Sequence, residues 1–334
     1  MLTSQQVKQA ARECGADLCG VAPVDRFEGA PRQQDPRYIF PDAKACIVLG
    51  FRIPRGYYRG IEEGTYFAAY PALGYGGMNT IYMPIVLQQM CCFIEDHGFE
   101  ASPVPNTYPG TSIPFDKQAF DPARSRPVKP GLPHPDVLVD YRIAAFAAGL
   151  GEIGYSKMLL TPQFGPRQRL VMILTDAPLE SDPIYEGPKL CDRCMACARE
   201  CTAGAISQTE TESVTVAGRK LEWGKLDCTK CSIGYRGGVA EFNPFMKDGA
   251  DPASYAGKYC GRPELDALCG YPKLYNHNAS LEGARGCTRA CMVHLERRGV
   301  LSNKFANPFR RRPGWKLPPG GASGRGPSTQ DGTE

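Results

Sequence analysis

Cys191, Cys194, Cys197 and Cys201 stand in the chain as C-x-x-C-x-x-C-x-x-x-C. Three cysteines at steps of three let one tight loop aim three thiolates at a single iron–sulfur cube. The fourth cysteine of such a run points away and ligates a second cube in two-cluster ferredoxins. Structural zinc draws its four thiolates from two separated pairs instead. The run therefore predicts a [4Fe–4S] cluster, and a segment around it that metal staples in place of a large apolar core. The proline usual after the fourth cysteine is Thr202 here, and Gly204, Ala205 and Ile206 keep the short turn that follows.

The chain has 15 cysteines, an odd number, and they are densest over 191–291. A small secreted protein would use an even set as disulfide staples. The N-terminal MLTSQQVKQAARECG is polar and amphipathic, with no apolar core of a signal peptide and no twin arginine. No run of about 18 apolar residues occurs, so no membrane span and a cytoplasmic location are expected. Clustered cysteines in such a chain read as metal ligands.

A second set follows: Cys228, Cys231, Cys260, Cys269, Cys287 and Cys291. Cys287-x-x-x-Cys291 repeats the last step of the ferredoxin motif, but Ala284 stands where the preceding cysteine belongs. The Cys228–Cys231 pair can supply what is missing. The assignment pairs Cys291 with the first cluster and Cys201, Cys228, Cys231 and Cys287 with a second; the alternative is one cluster with spare thiols. Cys260 and Cys269 stay unassigned. Cys14, Cys19, Cys46, Cys91 and Cys92 fall in apolar elements and are expected in the core.

The 334 residues suggest roughly two domains of about 150 each. A helix over 4–14, strands over 17–23, 45–51, 99–104 and 169–176, a helix from Asn79 to about His97 and a small-residue helix over 142–150 predict an α/β or α+β domain over 1–186. Thirty prolines and 37 glycines predict long irregular connections, notably 52–78 and 105–135. A ferredoxin-type segment over 187–312 and a disordered tail over 313–334 complete the expectation.

VKQAARECGADLCGVAP near the start, AAFAAGLGEIGYSKMLLTPQFGPRQRLVMILTDAPLESDP in the middle, and the cysteine run at its interval after it together resemble the epoxyqueuosine reductases and their relatives the reductive dehalogenases. The resemblance spans about 1–300 and implies a corrinoid-binding α/β domain before a two-cluster ferredoxin domain. Electrons then pass through the clusters to a base-off cobalamin that performs a two-electron reduction. The substrate is a tRNA nucleoside epoxide in one family and a carbon–halogen bond in the other. The family's Trp-Ile-Gly-Lys is Glu152-Ile153-Gly154-Tyr155 here, and its aromatic-rich stretch after Phe-Gly is Pro166-Arg167-Gln168-Arg169. The lack of an export signal argues against a respiratory dehalogenase, so the expectation is an epoxyqueuosine-reductase-like protein or a paralogue with another substrate.

On that resemblance, Gly149, Gly151 and Gly154 let backbone approach a flat macrocycle, with Arg142, Lys157, Arg167 and Arg169 as polar partners; helix capping and a turn are the plain alternative. Their G-x-G-x-x-G spacing lacks the preceding strand of a dinucleotide site. Asp136 matches the family's catalytic carboxylate one residue out of register, and Asp140 is a second general-acid candidate; either needs a raised pKa. Tyr141, Glu152 and Tyr155 are further candidates. Arg52, Arg55, Tyr57, Tyr58 and Arg59, with Arg310–Arg312 before Trp315, mix cations and aromatics as RNA binders do, although a net charge of +4 is small. Expected partners are an electron donor such as ferredoxin or flavodoxin and a small-molecule or tRNA substrate. Competing readings are a cluster-only electron-transfer protein or reductase activator, a cytosolic reductive-dehalogenase-like enzyme, and a zinc-binding module.

Overall fold

Two strands are apolar almost end to end, and they lie at the centre of the sheet. The computed structural model describes residues 2–106, 126–135, 137–246, 249–255 and 286–318. In chain order its elements are α1 (Ser4–Glu13), β1 (Leu18–Pro23), β2 (Ala45–Arg52), α2 (Arg59–Glu63), α3 (Met83–Glu95), β3 (Ala101–Val104), α4 (Tyr141–Ala147), β4 (Glu152–Ile153), β5 (Leu159–Leu160), β6 (Gln168–Thr175), α5 (Ala196–Arg199), β7 (Ile206–Val216), β8 (Arg219–Leu226), α6 (Cys228–Tyr235) and α7 (Cys287–Arg298). β2 and β6 form the middle of a four-stranded sheet ordered β1-β2-β6-β3. Every pairing in it is antiparallel. Of the two mixed classes left open by the sequence, α+β is the one that describes this sheet.

Side chains alternate across the sheet, as strand geometry requires. Ile47, Leu49, Phe51, Val171 and Ile173 face α1 and α3 on one side. Cys46, Val48, Leu170, Met172 and Leu174 face α4 and the β7–β8 hairpin on the other. Thr3 caps α1 in a reciprocal arrangement with Gln6. Cys46 and Cys91 are buried as expected, Cys14 and Cys19 half-buried, while Cys92 is exposed on the outer face of α3. Burial pushes the Cys46 and Cys19 thiols up to about 12.

Three expectations change. Residues 52–78 are not a long loop: they hold α2 and, over Tyr70–Tyr82, a π-helix that runs directly into α3. Asn79 is buried inside that π-helix and does not cap α3. Its wider turn escapes a 3.6-residue period, and Gly74, Gly76 and Gly77 read as loop. Next, β7 and β8 form a hairpin inside the cysteine-rich segment, with a register shift between Ile206 and Thr211 and a turn at Ala217 (φ 48°) and Gly218 (φ 74°). Finally, residues 313–318 pack instead of trailing free. The Trp315 indole donates to the Ile61 carbonyl (2.9 Å) and Leu317 N–H donates to Glu241 O (2.9 Å). This strap covers α2 and α7. Among the described residues no helix is long and apolar enough to cross a membrane.

Candidate metal centre

The cysteine loop is shaped by two strained residues. Arg193 (φ 57°) and Met195 (φ 62°) both sit in the left-handed region that side chains other than glycine seldom adopt. This curl brings Cys191, Cys194 and Cys197 onto one small cavity, with Cys197 in the short helix α5. Cys291, about 100 residues downstream in sequence, closes the cavity from α7, which packs on α5.

Burial, then the neighbouring Cys191 and Cys194, push the Cys197 thiol up to about 11. Burial and the other three thiols of the site push Cys291 well above its ordinary value. Cys197 and Cys291 therefore resist ionising unless a cation joins them, which is the behaviour expected of metal ligands. The donor set and its closure fit a [4Fe–4S] cluster: three thiolates from one loop and a fourth from a helix. Asp192, Cys194 and His294 also bring ligand atoms within 4.8 Å of one another at the rim of this cavity. His294 Nε2 lies 2.9 and 3.0 Å from the Asp192 carboxylate oxygens. Arg298 is 3.5 Å from the same carboxylate and donates to the carbonyls of Leu190 and Lys189. Together these bonds clamp the cysteine loop to α7, a role the sequence did not reveal.

The segment Glu152–Tyr155 serves this loop. The Glu152 carboxylate accepts from Cys191 N–H. Tyr155 N–H donates to Cys191 Sγ (3.3 Å), and the Tyr155 hydroxyl donates to Ser207 O in β7 (2.9 Å). Tyr155 is thus a strut between the loop and the hairpin, and its proton is committed, which corrects its expected role as an acid.

Cys201 and Cys287 share an apolar cluster with Tyr155, Cys197, Ile206 and Leu226. Ala205 N–H donates to Cys201 Sγ (3.2 Å), and Asp227 N–H donates to Ala205 O (2.9 Å), which draws the start of α6 to the Cys201 turn. Cys228 and Cys231 stand on α6, both half-buried. Cys260, Cys269 and Asp136 lie outside the described residues.

The residues expected to hold a corrinoid are engaged by the chain itself. A Cβ on Gly151 would meet Leu160 O at 2.0 Å, one on Gly149 (φ 73°) would meet Pro183 O at 2.1 Å, and one on Gly154 would meet Leu160 Cδ1 at 2.9 Å. These glycines admit the protein's own backbone and side chains, so the plain turn reading holds. Arg167 is fully buried and donates to Ile53 O and Asn303 Oδ1 (2.7 Å each). Arg142 donates to Lys157 O (3.3 Å). Lys157 pairs with Asp140 (3.3 Å) over the Trp223 ring. Asp140 caps α4 by accepting from the N–H groups of Arg142 and Ile143. Burial acts to raise its pKa, but Lys157, Arg142 and the two N–H donors outweigh it and hold the carboxyl below its ordinary value. A general acid needs the opposite shift, so Asp140 is a structural cap. Gly149, Gly151, Gly154, Arg142, Lys157 and Arg167 are thus spent on contacts within the chain and do not fit the corrinoid role.

The expected RNA surface is also internal in part. Arg55 pairs with Glu296 (2.9 Å) and stacks on Phe305, and Arg59 pairs with Glu63 and donates to Phe309 O. Tyr58 is fully buried. Arg310 binds Glu62 and Glu200.

No family model matches the chain. What it is similar to are reductases. Tetrachloroethene reductive dehalogenase of Sulfurospirillum multivorans is 37% identical over 285 residues, covering 72% of this chain and 50% of that protein. The enzyme of the same name from Dehalobacter restrictus is 42% identical over 72 residues, 21% of this chain and 13% of that protein. Among solved structures, a catabolic reductive dehalogenase is 19% identical with a TM-score of 0.48, covering 90% of this chain and 38% of that one. Epoxyqueuosine reductase from Streptococcus thermophilus is 14% identical with a TM-score of 0.44, covering 87% and 79%. The chain spans at most about half the length of the curated relatives it matches.

Proposed function

We propose that this chain is an iron–sulfur oxidoreductase of the reductive-dehalogenase kind. It uses one [4Fe–4S] cluster on Cys191, Cys194, Cys197 and Cys291 and a second on Cys201, Cys228, Cys231 and Cys287. The observation that carries the reading is the convergence of Cys291 with the three loop cysteines on one cavity. The named relatives support a reductase, and the first of them favours the dehalogenase side of the resemblance over epoxyqueuosine reductase. When bound, the clusters supply one-electron carriage between a donor such as ferredoxin or flavodoxin and a reducible small molecule. The protein's part is to hold the thiolates: Glu152 and Tyr155 seat Cys191, and the Asp192–His294–Arg298 clamp fixes the loop on α7.

The resemblance implies a corrinoid as the two-electron terminus. The engagement of Gly149, Gly151, Gly154, Arg142, Lys157 and Arg167 elsewhere favours a second reading, a cluster-only electron-transfer protein. A tRNA substrate draws no support from Arg55, Arg59 and Arg310, which are spent on internal contacts. Iron, sulfide, zinc and cobalt per chain, measured on anaerobically prepared protein reconstituted with iron and sulfide and offered cobalamin, separate these readings. Iron with cobalt retained through gel filtration supports the corrinoid reductase, and iron without cobalt the cluster-only protein. Zinc without iron or sulfide overturns both.

A further inference from the structure

Arg169 is a cation without a carboxylate partner among the described residues. Arg169, at the start of β6, is half-buried. Its Nε donates to Gly74 O (3.2 Å) and its Nη2 to the Tyr70 hydroxyl (2.8 Å), and its guanidinium lies 4.7 Å from the centre of the Tyr75 ring. The ionisable groups that face it are Tyr70, Tyr235, Tyr75 and Tyr58, with no carboxylate in ion-pair range among the described residues. Taking a cation out of water costs several kcal/mol unless an anion answers it.

Two routes tie this aromatic box to the expected ligands of the second cluster. Tyr235 stands four residues after Cys231 on α6, so the two share one face of that helix. Its ring meets Tyr75 edge-on at 5.7 Å, and its side chain hydrogen-bonds Tyr70. On the other side, Tyr58 packs on Tyr70 at 5.0 Å between ring centres. The Tyr58 hydroxyl is fully buried and has no hydrogen-bond partner among the described residues. An orphaned buried donor of this kind calls for an acceptor. Burial, then Tyr70, raise the Tyr58 pKa, Arg169 and Arg167 oppose them, and Cys287 raises it further.

We infer that Arg169 and Tyr58 are tuning groups for the second cluster, the cation answering its net negative charge and the hydroxyl donating to a sulfur on its Cys287 side. This rests on the two-cluster reading above. Net charge and hydrogen bonds to sulfur are among the terms that set a cluster's potential. A cation and a donor both favour the more negative, reduced form, so the second cluster sits at higher potential than it otherwise would. A higher potential at the second cluster favours electron flow into it.

The test is an EPR-monitored redox titration of reconstituted full-length wild type, Arg169→Met, Arg169→Lys and Tyr58→Phe, with iron counted in each. The expected result is that one of two midpoints moves to lower potential in Arg169→Met and in Tyr58→Phe, and that Arg169→Lys returns part of the shift. The other midpoint stays in place. Tyr58→Phe removes one oxygen from a packed ring and tests the idea if Arg169→Met does not fold. Unchanged midpoints in variants that retain both clusters, an upward shift, or an equal shift of both clusters overturns the inference. A wild type holding iron for one cluster overturns the two-cluster reading itself, which the iron count shows before any potential is read.

Discussion

Replacing Arg310 with methionine removes the central link of a charge chain that ties the strap to both cysteine elements. Arg310 Nε binds Glu62 (2.7 Å), and its two terminal nitrogens bind Glu200 (2.7 and 2.8 Å). Glu62, only 4% exposed, also pairs with buried Arg289 between Cys287 and Cys291, while Glu200 precedes Cys201. The bond to buried Glu62 is charge-assisted and contributes about 1.5–3 kcal/mol. The fork to Glu200, which is 38% exposed, adds about 0–1 kcal/mol after solvent screening. Arg310→Met is therefore expected to cost about 2–3 kcal/mol. Lysine keeps the charge but cannot reach both carboxylates with a planar fork, so Arg310→Lys recovers less than half of the loss. In anaerobic urea unfolding, with a slope of about 3 kcal/mol per molar, the midpoint falls by about 0.7–1 M. Cluster absorbance is lost at lower urea than in wild type, because Cys201 and Cys287 are released together. A drop under about 0.5 kcal/mol, or lysine equal to arginine, refutes the argument that this chain is buried and coupled.

The remaining predictions concern single contacts. Asp140→Asn keeps the helix cap and costs under about 0.5 kcal/mol, whereas Asp140→Ala costs about 1–2 kcal/mol; loss of all activity in a folded Asp140→Asn would restore it as a catalytic acid. The folded pKa of Asp140 lies below 3.8, so its charge contributes stability above pH 3.8 that is lost as pH falls through the lowered value. The difference between wild type and Asp140→Asn in thermal unfolding should accordingly vanish in strong acid. Gly151→Ala forces a Cβ to within 2.0 Å of Leu160 O and should cost more than about 2 kcal/mol with or without cobalamin present; a loss seen only with cobalamin would support a macrocycle contact. Arg298→Met frees the carbonyls of Leu190 and Lys189 and should speed loss of iron to a chelator from one cluster, measured by absorbance decay; decay at the wild-type rate counts against the clamp.

The cysteine run and the central strands were readable because spacing and apolar runs report local geometry directly. The π-helix was not, since its period differs from the one sought and its glycines mimic a loop. The strap was hidden for a related reason. Arg310 and Trp315 lie in polar, proline-rich sequence, and only their partners Glu62, Glu200 and Ile61, more than 100 residues away, show that they are structural. The glycine segment misled in the other direction: the same glycines serve a close backbone approach whether the neighbour is a cofactor or Leu160 O, and sequence does not name the neighbour. Glu152 and Tyr155 seat Cys191, a contact visible only once the loop is folded against them.

The central claim is that Cys291 completes one of two iron–sulfur clusters. Iron, sulfide and the EPR spectrum of the reduced protein, compared between wild type and Cys291→Ala under anaerobic reconstitution, test it most directly. The account predicts about eight irons and eight sulfides in wild type and about four of each in Cys291→Ala, with one cluster signal intact. A Cys291→Ala protein that keeps the full complement and both signals, or a wild type that holds zinc in place of iron, would contradict it.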